Sequence, residues 1–294
     1  MHGSGTLHYH FGSTYTGEFA NNLEHGRGCY RFASGAVYNG MFIRGMRCGL
    51  GEYTHPNGDL YRGNHSQNHM HGFGIYRFVD GTVYEGQFLL GKKHGQGTLH
   101  FRGGDVYTGE WVRDLKHGHG TYTFANGDCY NGRFADGKWD GLGTFRSTRG
   151  TFYDGEWKDG VIHGTGRYRY LSGNEYYGQF DRGEKHGRGL MLYEEGSRYQ
   201  GQYVRNRKHG YGVFDYVIGD RYEGQWRDGV KHGQGTYTYA TGEVFVGMFE
   251  AGQIVGEGVL HAADGKITEG EFGEEAREDR LLATAAPIIV TCDE

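Results

Sequence analysis

The sequence predicts an all-β chain, an elongated single-sheet antiparallel meander of about twelve 23-residue β-hairpins twisted into a trough-like rod. Three observations predict it. An aromatic residue followed two places later by glycine recurs every 23 residues, from Tyr15 and Gly17 to Phe245 and Gly247, with Thr268 and Gly270 in a last, degenerate copy. Within a copy, residues alternate with period two: Tyr222, Gly224 and Trp226 on one side, Glu223 and Gln225 on the other. That alternation is a strand signal. Two phases are reserved for turn formers, one held by Gly, Asn or Asp (Asn22, Gly45, Asn68 through Gly229) and one by glycine alone (Gly12, Gly35, Gly58 through Gly265).

Each unit opens with a strand such as Tyr222–Trp226. A turn at the Gly/Asn/Asp phase follows, where positive φ is tolerated. A second aromatic strand comes next, as at Gly235, Tyr237 and Tyr239, reached through the stretch DGVKHG. The loop glycine then leads to the next copy. The 57 glycines would suggest low complexity if scattered. Their strict phase instead marks a stacked repeat, and at this density they exclude helix over most of the chain. With strands about 4.8 Å apart, each copy advances roughly 9 to 10 Å and the array reaches on the order of 100 Å. The opening tyrosines, the Phe, Trp or Tyr four residues on, and the second-strand aromatics share one face. The same-face glycines leave room for those rings to lie flat, and the aromatic trough is the expected core.

A YxGxW strand followed by HGxGxY in a 23-residue unit resembles the MORN (membrane occupation and recognition nexus) repeat, over His2 to about Phe272. The expected division is an array over 1–273 and a C-terminal cap or tail over 274–294, where GEEAREDRLLATAA reads as a short amphipathic helix and IIVT as a strand. Resemblance to repeat-only members, including radial spoke head proteins, implies a structural scaffold of the ciliary or flagellar axoneme. Two alternatives accompany it: a peripheral membrane module binding acidic phospholipids, and a cytoskeletal scaffold of cell division or polarity.

Net charge is −5, unlike the basic balance of a nucleic-acid binder. No stretch matches a membrane span and the N-terminus has no signal-peptide core, so the expectation is a soluble intracellular protein. Cys29, Cys48, Cys129 and Cys292 form no paired motif, and reduced thiols are expected. No GxSxG, P-loop, HExxH or kinase motif occurs, and 274–294 is too short for an appended enzyme domain. No catalytic residue, metal or cofactor is therefore expected. The HG histidines fall in equivalent positions roughly 9 to 10 Å apart, too far to share an ion, and read as ligands of the hairpin turn.

Three partner surfaces are expected. The outer face is mostly Thr, Arg, Glu and Gln but carries two apolar groups, Leu50, Phe73 and Ile75, and Leu190, Leu192, Tyr211 and Val213. Grouped exposed apolar residues point to protein contacts. Lys93, Lys116, Lys185, Lys208 and Lys231, with Lys92 and Arg47, precede or flank HG and predict a basic margin facing anionic lipid or tubulin, while Asp59, Asp105, Asp128 and Asp220 predict an acidic one. The strand Thr6 to Phe11 has no proline or lysine to blunt it, and predicts self-association. Two irregular copies, with His65 in place of an aromatic and Asp140 in place of the HG histidine, are left open as sites or drift.

Overall fold

The computed structural model describes residues 1–273; the expected cap or tail and Cys292 lie outside the described residues. Those residues form twenty-four strands, β1 to β24, and no helix. They divide into two compact units, Met1–Val161 and the residues from Ile162 on. In the first unit each strand pairs antiparallel with its sequence neighbours, from β1 (Gly3–His8), β2 (Thr14–Ala20) and β3 (Leu23–Arg31) to β14 (Phe152–Lys158). The second unit repeats the arrangement from β15 (Val161–Arg169) to β24 (Ile267–Phe272).

One contact explains the repeat. In β2, Tyr15 folds back over the cross-strand glycine pair Gly17–Gly28. A Cβ at Gly28 would lie 2.3 Å from its ring, and one at Gly17 would lie 2.5 Å from its hydroxyl. The hydroxyl donates to the Glu18 and His25 carbonyls at 2.9 and 3.2 Å. The ladder shifts register between Gly17 and Glu18, and the extra residues on the other strand are the bulge Gly26–Arg27, in which the φ of Gly26 is +58°. Such a bulge favours glycine in the left-handed region. The bulge N–H of Arg27 donates to Glu18 Oε1 at 2.9 Å, and Gln87, Glu110, Gln179 and Gln202 repeat this role for Gln96, His119, Arg188 and Tyr211. The ten opening tyrosines from Tyr15 to Tyr222 are all 0% exposed. Tyr15 meets two rings edge-on, Phe19 of its own copy at 5.1 Å and Phe42 of the next at 5.0 Å, and Tyr84 and Tyr222 do the same with Phe88 and Trp111 and with Trp226 and Phe249.

The hairpin turn is tighter than DGVKHG suggests, because the second strand already begins at Val230. Two residues make the turn and both take positive φ, as at Asp228 (+50°) and Gly229 (+94°). This is the signature of a type I′ turn, which matches the twist of its strands. The first position tolerates Arg44, Leu90 and Ala251, so composition alone hides it. Near the start of the chain, the strand is Gly3–His8 and not Thr6–Phe11. Tyr9 to Phe11 belong to a turn, closed by Tyr9 N–H to the Ser13 carbonyl and Gly12 N–H to the Tyr9 carbonyl.

A methyl added to the glycine row has no room, since a Cβ at Gly86 would stand 2.5 Å from Gly97 Cα and 2.7 Å from the Gln96 carbonyl. Gly86→Ala is expected to cost more than about 2 kcal/mol, whereas Gly103→Ala, with nothing within 4 Å, should stay within about 0.5 kcal/mol. Urea unfolding of the two variants checks this contrast.

Candidate interaction faces

The inner face carries the basic residues. Lys93 Nζ lies 4.8 Å from the Trp111 ring centre and 5.6 Å from that of Tyr84. Lys116 is 4.4 Å from Tyr122, Lys231 is 4.6 Å from Tyr237, and Lys185 is ringed by Tyr170, Tyr176 and Tyr203. Lys208 stands among Tyr193, Tyr199, Phe214 and Trp226. Arg47 takes the same position over Phe32, Tyr38 and Tyr53. These cations are half-buried in ring cages and do not project as a margin; of the expected contacts, Lys92 is the one placed fully in solvent. The reason is the strand: the residue before HG points inward, where the negative ring faces attract it. Burial pushes the ammonium groups of Lys93, Lys116 and Lys185 down from the usual lysine range and that of Lys231 to about 8. Met70, Trp139 and Ile254 occupy the same phase in other copies, and Trp139 stacks on Tyr130 at 4.2 Å and 4°.

The aspartates are fasteners between copies, not a solvent margin. Asp59, 7% exposed, accepts the Val79 N–H at 2.9 Å and the Tyr76 hydroxyl at 3.0 Å. Asp105 takes Ala125 N–H and Tyr122, and Asp220 takes Ala240 N–H and Tyr237. The Tyr122 hydroxyl and the Ala125 N–H hold the Asp105 carboxyl below the usual carboxylate range. Along the other margin each turn N–H returns to the preceding copy, as Gly91 to the Met70 carbonyl at 2.9 Å and Gly229 to that of Lys208 at 2.9 Å. Asn68 and Asp114 add a side-chain acceptor for the N–H of Arg47 and Lys93, which explains Asn and Asp at a glycine position.

The HG histidines contribute both backbone and ring groups, the His163 ring lying 3.5 Å from the Asp181 carboxylate. The carbonyls of His25 and His117 accept tyrosine hydroxyls, and His2 Nε2 reaches the turn residue Asn21 at 3.2 Å. Among the described residues no group of three His, Cys, Asp or Glu is arranged to hold a metal ion. His65 fills an aromatic place. It is 5% exposed and edge-on to Tyr38 and Tyr61 at 4.9 and 5.0 Å. Its ring nitrogens meet no hydrogen-bond partner of good geometry, the nearby Gly63 backbone included. Burial, with Arg47 adding to it, pushes its pKa down to about 4. Asp140 Oδ2 lies 3.4 Å from the Asp159 N–H at the adjoining turn.

On the outer face the first apolar group converges. Leu50 faces Asn64, Ile75 sits between Arg62 and Glu85, and Phe73 faces Gln87. Leu50 (69% exposed) and Phe73 (53%) line one depression of about 460 Å³ with Ile75, Arg62, Asn64 and the bare glycines Gly51, Gly63 and Gly74. Phe73 also lines an adjoining depression of about 450 Å³ with Glu85, Gln96 and Thr98. Arg62 is held by Glu52 at 2.5 Å. The second group is looser. Leu190, Leu192 and Val213 are half-buried, and the chain Arg198–Asp215–Arg221–Glu223 crosses beside them at 2.6, 2.8 and 3.2 Å. Tyr211, 55% exposed, donates its hydroxyl to Glu223 at 2.8 Å.

A one-layer sheet of identical hairpins, with polar groups largely engaged in holding copies together, defines a repeat protein of the interaction-module class. The chain belongs to the MORN repeat family: the family model matches eleven consecutive copies, from residues 15–37 and 38–60 to 222–244 and 245–267. No curated protein matches the chain. Among solved structures it is similar to the SAS-4 (dCPAP) TCP domain of Drosophila melanogaster in complex with a proline-rich motif of Ana2 (14% identity, 52% of this chain and 84% of that one, TM-score 0.34). It is also similar to the TCP10 domain of Danio rerio CPAP with a STIL peptide (13%, 84% and 95%, TM-score 0.33), and to the G-box domain of the microcephaly protein CPAP (14%, 67% and 97%, TM-score 0.38).

Three variants at two inner-face positions test these assignments. His65→Phe removes two unsatisfied nitrogens and should stabilise by about 1 kcal/mol. Because the folded state holds His65 neutral while the unfolded chain takes up a proton near pH 6.5, wild-type stability falls as pH drops below 6.5. The variant's advantage therefore widens from pH 7.5 to pH 5; an equal advantage at both pH values would contradict the assignment. Lys231→Met, matching Met70, should change the unfolding free energy at pH 7 by less than about 1 kcal/mol, and Lys231→Asp, placing a carboxylate against ring faces, by clearly more.

Proposed function

We propose that this chain is a non-enzymatic scaffold of the ciliary or flagellar axoneme, or of another microtubule-associated assembly, docked to a protein partner through the outer face of its first unit. The observation that carries the docking site is the convergence of Leu50, Phe73 and Ile75 on one glycine-lined depression. Exposed apolar side chains gathered around a concavity are the pattern of a protein contact. Resemblance to repeat-only radial spoke head proteins supports the axonemal assignment. The lipid reading has less support, because Lys93, Lys116, Lys185, Lys208 and Lys231 lie over aromatic rings. Half-buried cations are poorly disposed to meet a flat anionic surface.

A tagged copy in a ciliated cell tests the reading. The wild type should stay with the detergent-resistant axoneme after membranes are stripped. Leu50→Glu and Phe73→Glu, at exposed positions that leave the fold intact, should move into the soluble fraction by a factor of about ten or more if each removes about 1.4 kcal/mol or more of contact energy. Loss of the wild type with the membrane fraction would overturn the axonemal scaffold in favour of lipid.

A further inference from the structure

The first and last described strands are the two halves of one unit. β1 is of the second-strand type, with His2, Gly3 and Gly5 where His25, Gly26 and Gly28 stand one unit later. β24 is of the opening type, with Gly270 and Phe272 where Gly247 and Phe249 stand one unit earlier. In complete copies an opening strand is followed by a second-type strand across the bulge, as Gly17↔Gly28, Glu18↔His25 and Phe19↔Glu24. Among the described residues β1 pairs with β2 on one side only, and β24 pairs with β23 (Gln253–His261) on one side only.

β1 already has the bulge geometry. Gly3 holds φ +88°, the left-handed region of Gly26 (+58°) and Gly141 (+88°), although among the described residues no opening strand lies opposite it. The Met1 carbonyl accepts the Asn22 N–H at 3.1 Å, the turn fastening of every later copy, so the start of the chain is in full register with the array. Ser4 stands at the phase of Arg27, whose N–H points away from the following strand and onto the Glu18 carboxylate. The matching acceptor phase in β24 is Glu271.

We infer that β24 of one copy pairs antiparallel with β1 of a second copy, completing a MORN hairpin across the junction and giving head-to-tail oligomers of this chain. The register is fixed by the repeat: Thr268↔Leu7, Glu269↔Thr6 and Gly270↔Gly5, a bulge, then Glu271↔His2 and Phe272↔Met1, with the Glu271 carboxylate accepting the Ser4 N–H. Two different edges meet, so the contact is heterologous, and each added copy presents a further free edge until a ring closes. One component of a complete hairpin is missing. Thr268 stands where the tyrosine latch would be, a Cβ at Gly270 would meet nothing within 4 Å, and one at Gly5 only the Phe19 ring at 3.7 Å. Among the described residues no ring stands over Gly270 or fills the place over the Gly270–Gly5 pair, and the junction is correspondingly weaker and reversible.

This gap gives a gain-of-function test that a general stickiness would not reproduce. Sedimentation velocity of the 294-residue chain over a wide concentration range should show concentration-dependent oligomers. Thr268→Tyr should supply the latch and lower the concentration for assembly by about tenfold or more. Ser4→Pro, which removes an N–H that the β1–β2 ladder does not use, should reverse the gain in the double variant while the far-ultraviolet circular dichroism stays unchanged. Wild type and Thr268→Tyr that both remain monomeric would overturn the inference. So would a double variant that assembles as well as Thr268→Tyr.

Discussion

The structure depends on a tyrosine lying flat across two glycines. A single-layer sheet has no second layer to bury its apolar face, so the core must be made from side chains that fold down onto their own strands. Tyr107 shows the requirement: its ring occupies the space that Cβ atoms at Gly109 and Gly120 would need, and its hydroxyl reaches the Glu110 carbonyl at 2.9 Å. The latch works only with the bulge, since the register shift beyond Gly109 is what brings that carbonyl under the hydroxyl. Tyrosine, paired glycines and bulge glycine therefore act as one device, joined in several copies by a Glu or Gln that accepts the bulge N–H; Met41, Arg133 and Met248 stand at that acceptor phase elsewhere, and Phe245 supplies the ring without the hydroxyl.

Copies are joined by two kinds of contact. Rings interlock edge-on, a tyrosine touching an aromatic of its own copy and one of the next, as Tyr107 touches Trp111 and Phe134 and Tyr199 touches Tyr203 and Trp226. The margins are fastened by hydrogen bonds that span 20 or 21 residues, from Asp105 to the Ala125 N–H on one side and from Asp114 N–H to the Lys93 carbonyl on the other. Each copy thus touches mainly its neighbours, the nearest-neighbour logic of repeat proteins. The irregular copies keep the logic with other chemistry. Trp139 replaces a caged lysine by stacking on Tyr130, and His65 replaces an aromatic ring at the expense of two unsatisfied nitrogens.

The polar residues that first suggest surfaces turn out to be internal parts. Lysines before HG look like a basic margin when counted along the chain, yet the ladder points them at rings. Aspartates beside the loop glycine look like an acidic margin, yet each closes a joint. Once these are assigned, the outer face is left, where Leu50 and Phe73 are exposed and share a depression with Ile75.

By itself the sequence determined the unit, its length, its two strands, its one-sided aromatic core and the outer-face placement of Leu50 and Phe73, because period, alternation and turn residues act locally and repeat without interruption. Only the tertiary structure decided where the ends of long side chains go. Whether Lys208 reaches solvent or Phe214, whether Asp59 faces water or Val79 N–H, and whether Glu18 is a surface residue or the acceptor of a bulge all turn on contacts across 6 to 20 residues of chain. Alternation fixes the face of the first atom of a side chain; the atoms that carry charge or hydrogen bonds are placed by the neighbouring strand and the neighbouring copy.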